Sequence, residues 1–185
     1  MTPASSERRE QFADAVLRII ARAGCGAVSV RTVAAEAGWS AGALQKTFPT
    51  KEAMLRAAVN LLIERAEAQE DEEIAATTVA DYLVAHLELS LPLDAARRTD
   101  TILWNAITTE AAHTPWMAEI LRAQDEAVFD GLQESLAALG TANPAGTARA
   151  LLALSDGLAT QMLYAPEMSE EIRAALRTAV PLLLG

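Results

Sequence analysis

The stretch Ser29-VRTVAAEAGWSAGALQKTFPTKEAM-Leu55 decides the architecture. Ser29 can offer its hydroxyl oxygen to the free amides of a helix start, and the spacing predicts a short helix over Val30 to Ala37 with Val30, Val33 and Ala34 turned inward. Gly38 suits the left-handed position that ends such a helix. Ser40 then caps a further helix from Ala41 to Thr47, which turns Leu44 and Phe48 toward the preceding elements. Pro49-Thr50 breaks the chain, and Thr50 caps a longer helix from Lys51 to about Glu67.

Upstream, Ser5 and Ser6 are candidate caps for a first helix whose apolar residues Phe12, Val16, Ile19, Ile20 and Ala23 recur at helical spacing, and Gly24 and Gly26 end it. Downstream, the acidic run Glu67-AQEDE-Glu73 reads as a frayed helix end and a solvated seam. Helices are then predicted from about Thr78 to Ser90, Asp94 to Ala112, Pro115 to Leu139, Pro144 to Tyr164 and Ser169 to Leu184. Pro115 and Pro144 each follow a capping residue, as a proline in the first helical position does. Strand signals and internal repeats are absent, so the expected fold is all-α with about nine helices.

Composition agrees with that class. Apolar residues make up 51% of the 185-residue chain, with abundant Ala and Leu and few β-branched or aromatic runs. A net charge of -10 argues globally against a nucleic-acid partner, but the total hides an asymmetry. Residues 1–55 hold seven basic and five acidic side chains, against eight and twenty in the remainder, and both lysines of the chain, Lys46 and Lys51, lie in the first group. The two parts are built for different partners. The N-terminus lacks the apolar core of a signal peptide, and no run reaches the roughly 18 uninterrupted apolar residues that a membrane span needs. A cytoplasmic protein without membrane attachment is expected. Cys25 is the single cysteine, which rules out an internal disulfide framework and reads as a small apolar filler.

Three helices of this size, with a small-residue turn between the second and third, form a helix-turn-helix unit, whose last helix enters the major groove of DNA. Ala41, Gly42 and Ala43 give that helix a low-profile start that lets the backbone approach base edges. Gln45 and Lys46 project one turn later, able to reach adenine and guanine respectively. Phosphate contacts are expected from Ser29, Arg31, Thr32, Ser40, Thr47 and Lys51, using side chains and helix N-termini together. Lys51 stands where a cation opposes the helix dipole, so an external anion is its natural partner.

The block from Ser29 to Leu55 resembles the N-terminal DNA-binding domain of TetR-family transcriptional regulators: a capped second helix, an Ala-Gly turn, a short third helix ending in Phe, and a Thr-Lys-Glu opening of the fourth. The resemblance spans roughly residues 8 to 58. It implies a homodimeric, all-helical regulator, with a DNA-binding domain over residues 1–50 and a divergent ligand-binding and dimerisation domain over 51–185, joined by the helix from 51 to 67. The chain departs from the family where tyrosine is usual in the third helix, since Gln45 stands there, followed by Lys46 and Thr47.

The remainder offers material for a pocket and for self-association. Tyr82, His86, Trp104, Glu110, His113, Trp116, Met117 and Phe129 mix large apolar groups with a few polar ones, as the lining of a small-molecule cavity between helices does. Leu151, Leu154, Leu158 and Met162 form one stripe and Ile172, Leu176, Val180 and Leu183 another, and two such faces are expected to make a four-helix contact between subunits about a two-fold axis. Enzymatic chemistry finds little support. Glu110-Ala-Ala-His113 supplies the spacing of a di-iron half-site once, but His86 has Leu83 three residues before it, so the second half-site is missing. No zinc-protease, nucleophile-elbow or phosphate-loop motif occurs. The chain is therefore expected to be a ligand-responsive repressor, with double-stranded operator DNA, a small-molecule effector and a twin subunit as partners and no cofactor. The rival reading is a ligand-binding helical dimer with no role on DNA.

Overall fold

The computed structural model describes residues 3–70 and 78–184, with the backbone alone for residues 3–5, 69 and 70. Within them the chain forms α1 (Pro3–Ala23), α2 (Val30–Ala37), α3 (Ala41–Thr47), α4 (Lys51–Glu70), α5 (Val79–Leu89), α6 (Ala95–Ala111), α7 (Pro115–Ala138), α8 (Pro144–Tyr164) and α9 (Ser169–Leu184), with no strand. Short 3-10 turns at Cys25–Ala27 and Pro166–Met168 complete the set. Helix α1 begins at Pro3, so Ser5 and Ser6 lie inside it rather than capping it. The acidic run continues α4 as far as Glu70, and residues 71–73 lie outside the described part.

Most boundaries follow from the capping chemistry. The Ser29 Oγ accepts from the Thr32 amide while the Thr32 Oγ1 accepts from the Ser29 amide, a reciprocal pair that satisfies two otherwise free donors at the start of α2. Gly38 adopts φ 72°, a left-handed turn that lets the Trp39 amide close back on the Ala34 carbonyl at 2.9 Å. The Ser40 Oγ accepts from Ala43 N, the Thr50 Oγ1 from Ala53 N and the Asn143 Oδ1 from Gly146 N. Each hydroxyl or amide oxygen satisfies an amide that the helix start leaves without a partner in the helix.

The chain packs as two compact units, Met1–Asp71 with Leu103–Ala118, and Glu72–Ile102 with Glu119–Gly185. In the first, Phe12, Val16 and Ile20 of α1 are buried with Val33 of α2, Leu44 of α3 and Met54, Ala58 and Val59 of α4. Compactness thus draws its line elsewhere than after residue 50, because α4 packs along α1 through its apolar face. Ion pairs fix the same elements from outside. Arg18 and Arg22 of α1 both donate to the Glu36 carboxylate of α2, each at 2.9 Å, and Asp14 receives Arg18 and, at 2.8 Å, Arg65 of α4.

In the second unit, Leu83 and Leu87 of α5, Leu136 of α7, Leu151 and Met162 of α8, and Ile172, Leu176 and Val180 of α9 share one core. Polar ties lock its helices. The Glu88 carboxylate of α5 accepts from Arg173 at 3.0 Å and from Arg177 at 3.1 Å, both on α9. Arg98 donates to the Leu163 carbonyl at 2.8 Å, a cation placed on the exposed carbonyls that end α8. The two stripes expected to join subunits turn largely inward within this chain. Leu151, Met162, Ile172, Leu176 and Val180 are buried in this chain's own core, and Leu154, Leu158 and Leu183 pack against it. Helical periodicity registers a buried face without saying which chain buries it.

Candidate nucleic-acid interface

Burial separates the two faces of the helix-turn-helix cleanly. Leu44 and Phe48 are fully buried and hold α3 to the core, while Ala41, Gly42, Gln45 and Lys46 are exposed on its other side. Ala43 is half-buried. Ser29, Arg31, Ser40 and Lys51 are exposed as well, each within the first turn of α2, α3 or α4 or capping it. Three helix N-termini therefore present polar side chains and unpaired amides, the combination that binds anions.

The hydroxyls are partly committed. Thr32 is half-buried, donates to the Ala27 carbonyl at 2.9 Å and serves the capping pair, and Thr47 donates to the Ala43 carbonyl at 3.4 Å. Both are tied into the helices that carry them. Arg31, Lys46 and Lys51 differ, because among the described residues none of their side chains makes an ion pair or a hydrogen bond. By contrast, Arg18 and Arg22 are spent on Glu36. Hydrogen bonds from Arg22 and then Arg18 hold that carboxyl below its ordinary value of 4.5. The cations left over lie on the exposed side of the helix-turn-helix, at the starts of α2 and α4 and in the last turn of α3.

Two arginines absent from the expected set lie close by. Arg8 sits 4.9 Å above the Trp39 ring and Arg9 4.6 Å above that of Phe48, and both rings pack edge-on against Phe12, at 5.8 and 6.3 Å. Trp39 and Phe48 flank α3 at its two ends. The pair Arg8-Arg9 shows in the sequence as a basic dipeptide, but its stacking depends on tertiary contacts that no local spacing reveals.

In the same unit, residues 103–118 lie close to the headpiece helices. The Cys25 thiol, buried, faces the Ala106 carbonyl at 4.0 Å. Burial pushes that thiol up, the charge of Glu110 adds to the effect, and Lys51 opposes it. Arg56 of α4 stacks at 4.3 Å on Trp116 and pairs with Glu52 at 2.8 Å. A line of contacts therefore leads from the start of α7 to the first turn of α4, beside Lys51.

The eight pocket candidates divide between the units. Trp104, Glu110, His113, Trp116 and Met117 belong to the first, where Met117 is fully buried, His113 is exposed and Trp116 carries Arg56. Tyr82, His86 and Phe129 belong to the second. There the Tyr82 and His86 rings stack 6.0 Å apart and 13° from parallel, Phe129 lies under Arg149 at 4.1 Å, and the His86 Nδ1 is buried without a hydrogen-bond partner. A cavity of about 220 Å³ beside α5 and α9 is lined by Asp81, Val84, Glu88, Arg177 and Pro181, and another of about 380 Å³ by Glu7, Glu10, Gln11, Asp14 and Arg65. None of the eight lines either. Among the described residues no cluster of three or more metal-ligating side chains occurs, and no helix is long and apolar enough to cross a membrane.

Comparison with known proteins places this geometry. Residues 13–65 match the family described as bacterial regulatory proteins, tetR family, and residues 79–185 match that described as BetI-type transcriptional repressor, C-terminal. The chain is 30% identical over 172 residues to the HTH-type transcriptional regulator PksA of Bacillus subtilis, covering 86% of this chain and 80% of the relative. It is 28% identical to the HTH-type transcriptional regulator BetI of Stenotrophomonas maltophilia, covering 82% and 79%. The crystal structure of a transcriptional regulator from Rhodococcus sp. Rha1 superposes with a TM-score of 0.88 at 33% identity, over 95% of each chain.

Proposed function

Because the chain belongs to the TetR family of bacterial transcriptional regulators, we propose that it occupies a palindromic operator as a homodimer and leaves it when a small molecule binds the C-terminal helices. The observation that carries this reading is the set of unpaired cations on the exposed face of the helix-turn-helix, Arg31 in the first turn of α2, Lys46 in the last turn of α3 and Lys51 at the start of α4, in a chain whose other headpiece arginines are internally spent or stacked. An acidic protein keeps such charges free where an anion is to be met. Lys46 and Gln45 read bases in the major groove; Ser29, Arg31, Ser40 and Lys51 hold phosphates on either side.

Two copies are needed, since recognition helices about 34 Å apart read two half-sites. Outer faces of α8 and α9 supply the contact. Tyr164 is 76% exposed and Leu182 77% exposed, large apolar side chains that a second copy would cover. For the effector, the Tyr82 and His86 stack offers an aromatic face, and the orphaned His86 Nδ1 offers a hydrogen bond that the chain itself leaves unmade. Effector and DNA then oppose each other reciprocally, with a coupling of about 1 to 3 kcal/mol.

The test is binding of the purified protein to the DNA upstream of its own gene, followed by fluorescence anisotropy against a scrambled duplex of equal length. Preference for the upstream sequence, weakening steeply with salt, is expected. Equal affinity for both duplexes would remove the basis for the operator reading. A compound retained through purification and identified by native mass spectrometry should lower operator affinity when added back.

A further inference from the structure

We propose that Arg8 is a DNA-phosphate contact held in place by Trp39, so that the indole acts as a positioning residue for the leading end of the recognition helix. The inference rests on the operator reading above. Trp39 immediately precedes Ser40, the cap of α3, and it is 39% exposed, which is costly for the largest apolar side chain unless its surface is used. Its backbone is fixed by the hydrogen bond that its amide donates to the Ala34 carbonyl, and its ring lies between the edge contact with Phe12 and the guanidinium of Arg8. The indole is therefore a fixed platform.

Held over an aromatic ring, a guanidinium is engaged through its delocalised charge and not through its N–H donors, which stay available for a phosphate. Arg8 makes no ion pair or hydrogen bond among the described residues, so those donors are uncommitted. It also stands within the long helix α1, which begins at Pro3, and not on a loose tail. A charge held this way pays little ordering entropy when DNA arrives. The site lies at the end of α3 that enters the groove first, where the phosphates bordering the groove come closest.

The experiment measures affinity as a function of salt for the wild-type protein and variants, on a duplex selected by the wild type from a random pool and on a scrambled duplex. Arg8→Ala should weaken both complexes several-fold and lower the slope of log affinity against log salt by about 0.9, the share of one phosphate. Trp39→Ala should reproduce that loss, Trp39→Phe should largely restore it, and the double variant Arg8→Ala with Trp39→Ala should be no worse than either single one. Thermal unfolding of each variant separates a folding defect from a binding one, and Trp39→Phe with Arg8→Ala suffices if Trp39→Ala does not fold. An unchanged salt slope for Arg8→Ala, or fully additive losses in the double variant, overturns the proposal. A wild type that fails to discriminate the two duplexes instead overturns the operator reading.

Discussion

Lys46 and Lys51 lie five positions apart, yet their surroundings assign them different work. Lys46 projects from the exposed face of α3, the face proposed to meet base edges, while Lys51 stands at the first turn of α4, whose own dipole repels it. Lys46→Ala should therefore reduce specific binding more than non-specific binding, and Lys51→Ala should weaken both alike and lower the salt slope by about one unit. Salt titrations on matched and scrambled duplexes check both, and sequence-blind losses from Lys46→Ala would reassign it to the backbone. These positions were legible in the sequence because a short helix with one buried leucine leaves only one arc for its polar residues. Arg8 and Trp39 were not, since they lie far apart along the chain and meet only after α1 and the turn before α3 have packed.

At the scale of elements, caps made the helix limits readable. Ser29, Gly38, Ser40, Thr50 and Asn143 each combine a side chain or backbone freedom with one geometric need, and the helices start and stop where those needs fall. The start of α1 escaped, because its serines suit a cap and are also tolerated inside a helix. The stripes of α8 and α9 were legible as apolar faces, and most of their residues fill this chain's own core, with Leu154, Leu158 and Leu183 part-buried at its edge. Contacts between elements carry their own consequence for pH. Glu36, pinned by Arg22 and Arg18, has its carboxyl held below its ordinary range, so its contribution to stability is present above about pH 4.5 and is lost as pH falls through the lower folded value. Glu36→Gln should therefore destabilise the protein at neutral pH, and its deficit relative to wild type should shrink toward pH 3. Urea unfolding across that range is the measurement, and a deficit independent of pH would show that shape rather than charge holds α2 to α1.

For the molecule as a whole, association is expected to depend on exposed rather than buried apolar groups of the last two helices. Leu182→Glu combined with Tyr164→Ala should shift the protein toward monomer in analytical ultracentrifugation while leaving its helical circular dichroism intact, since neither side chain belongs to the buried core. An unshifted dimer would place the interface elsewhere. Pocket residues were the least legible part of the sequence, because large apolar side chains at helical spacing look alike whether they fill a core, as Met117 does, or face a ligand. The division of the chain into units bears on how such a protein can be rebuilt. Residues 103–118 return to the unit that contains the N-terminal helices, bringing Ala106 to Cys25 and Trp116 to Arg56. The DNA-reading part is consequently not an exchangeable cassette. A chimera that grafts residues 1–70 onto a foreign body by a single splice leaves that return segment behind, strips the Cys25 thiol of its neighbour and the Arg56 guanidinium of its ring, and inherits a reader without the piece of chain that finishes it.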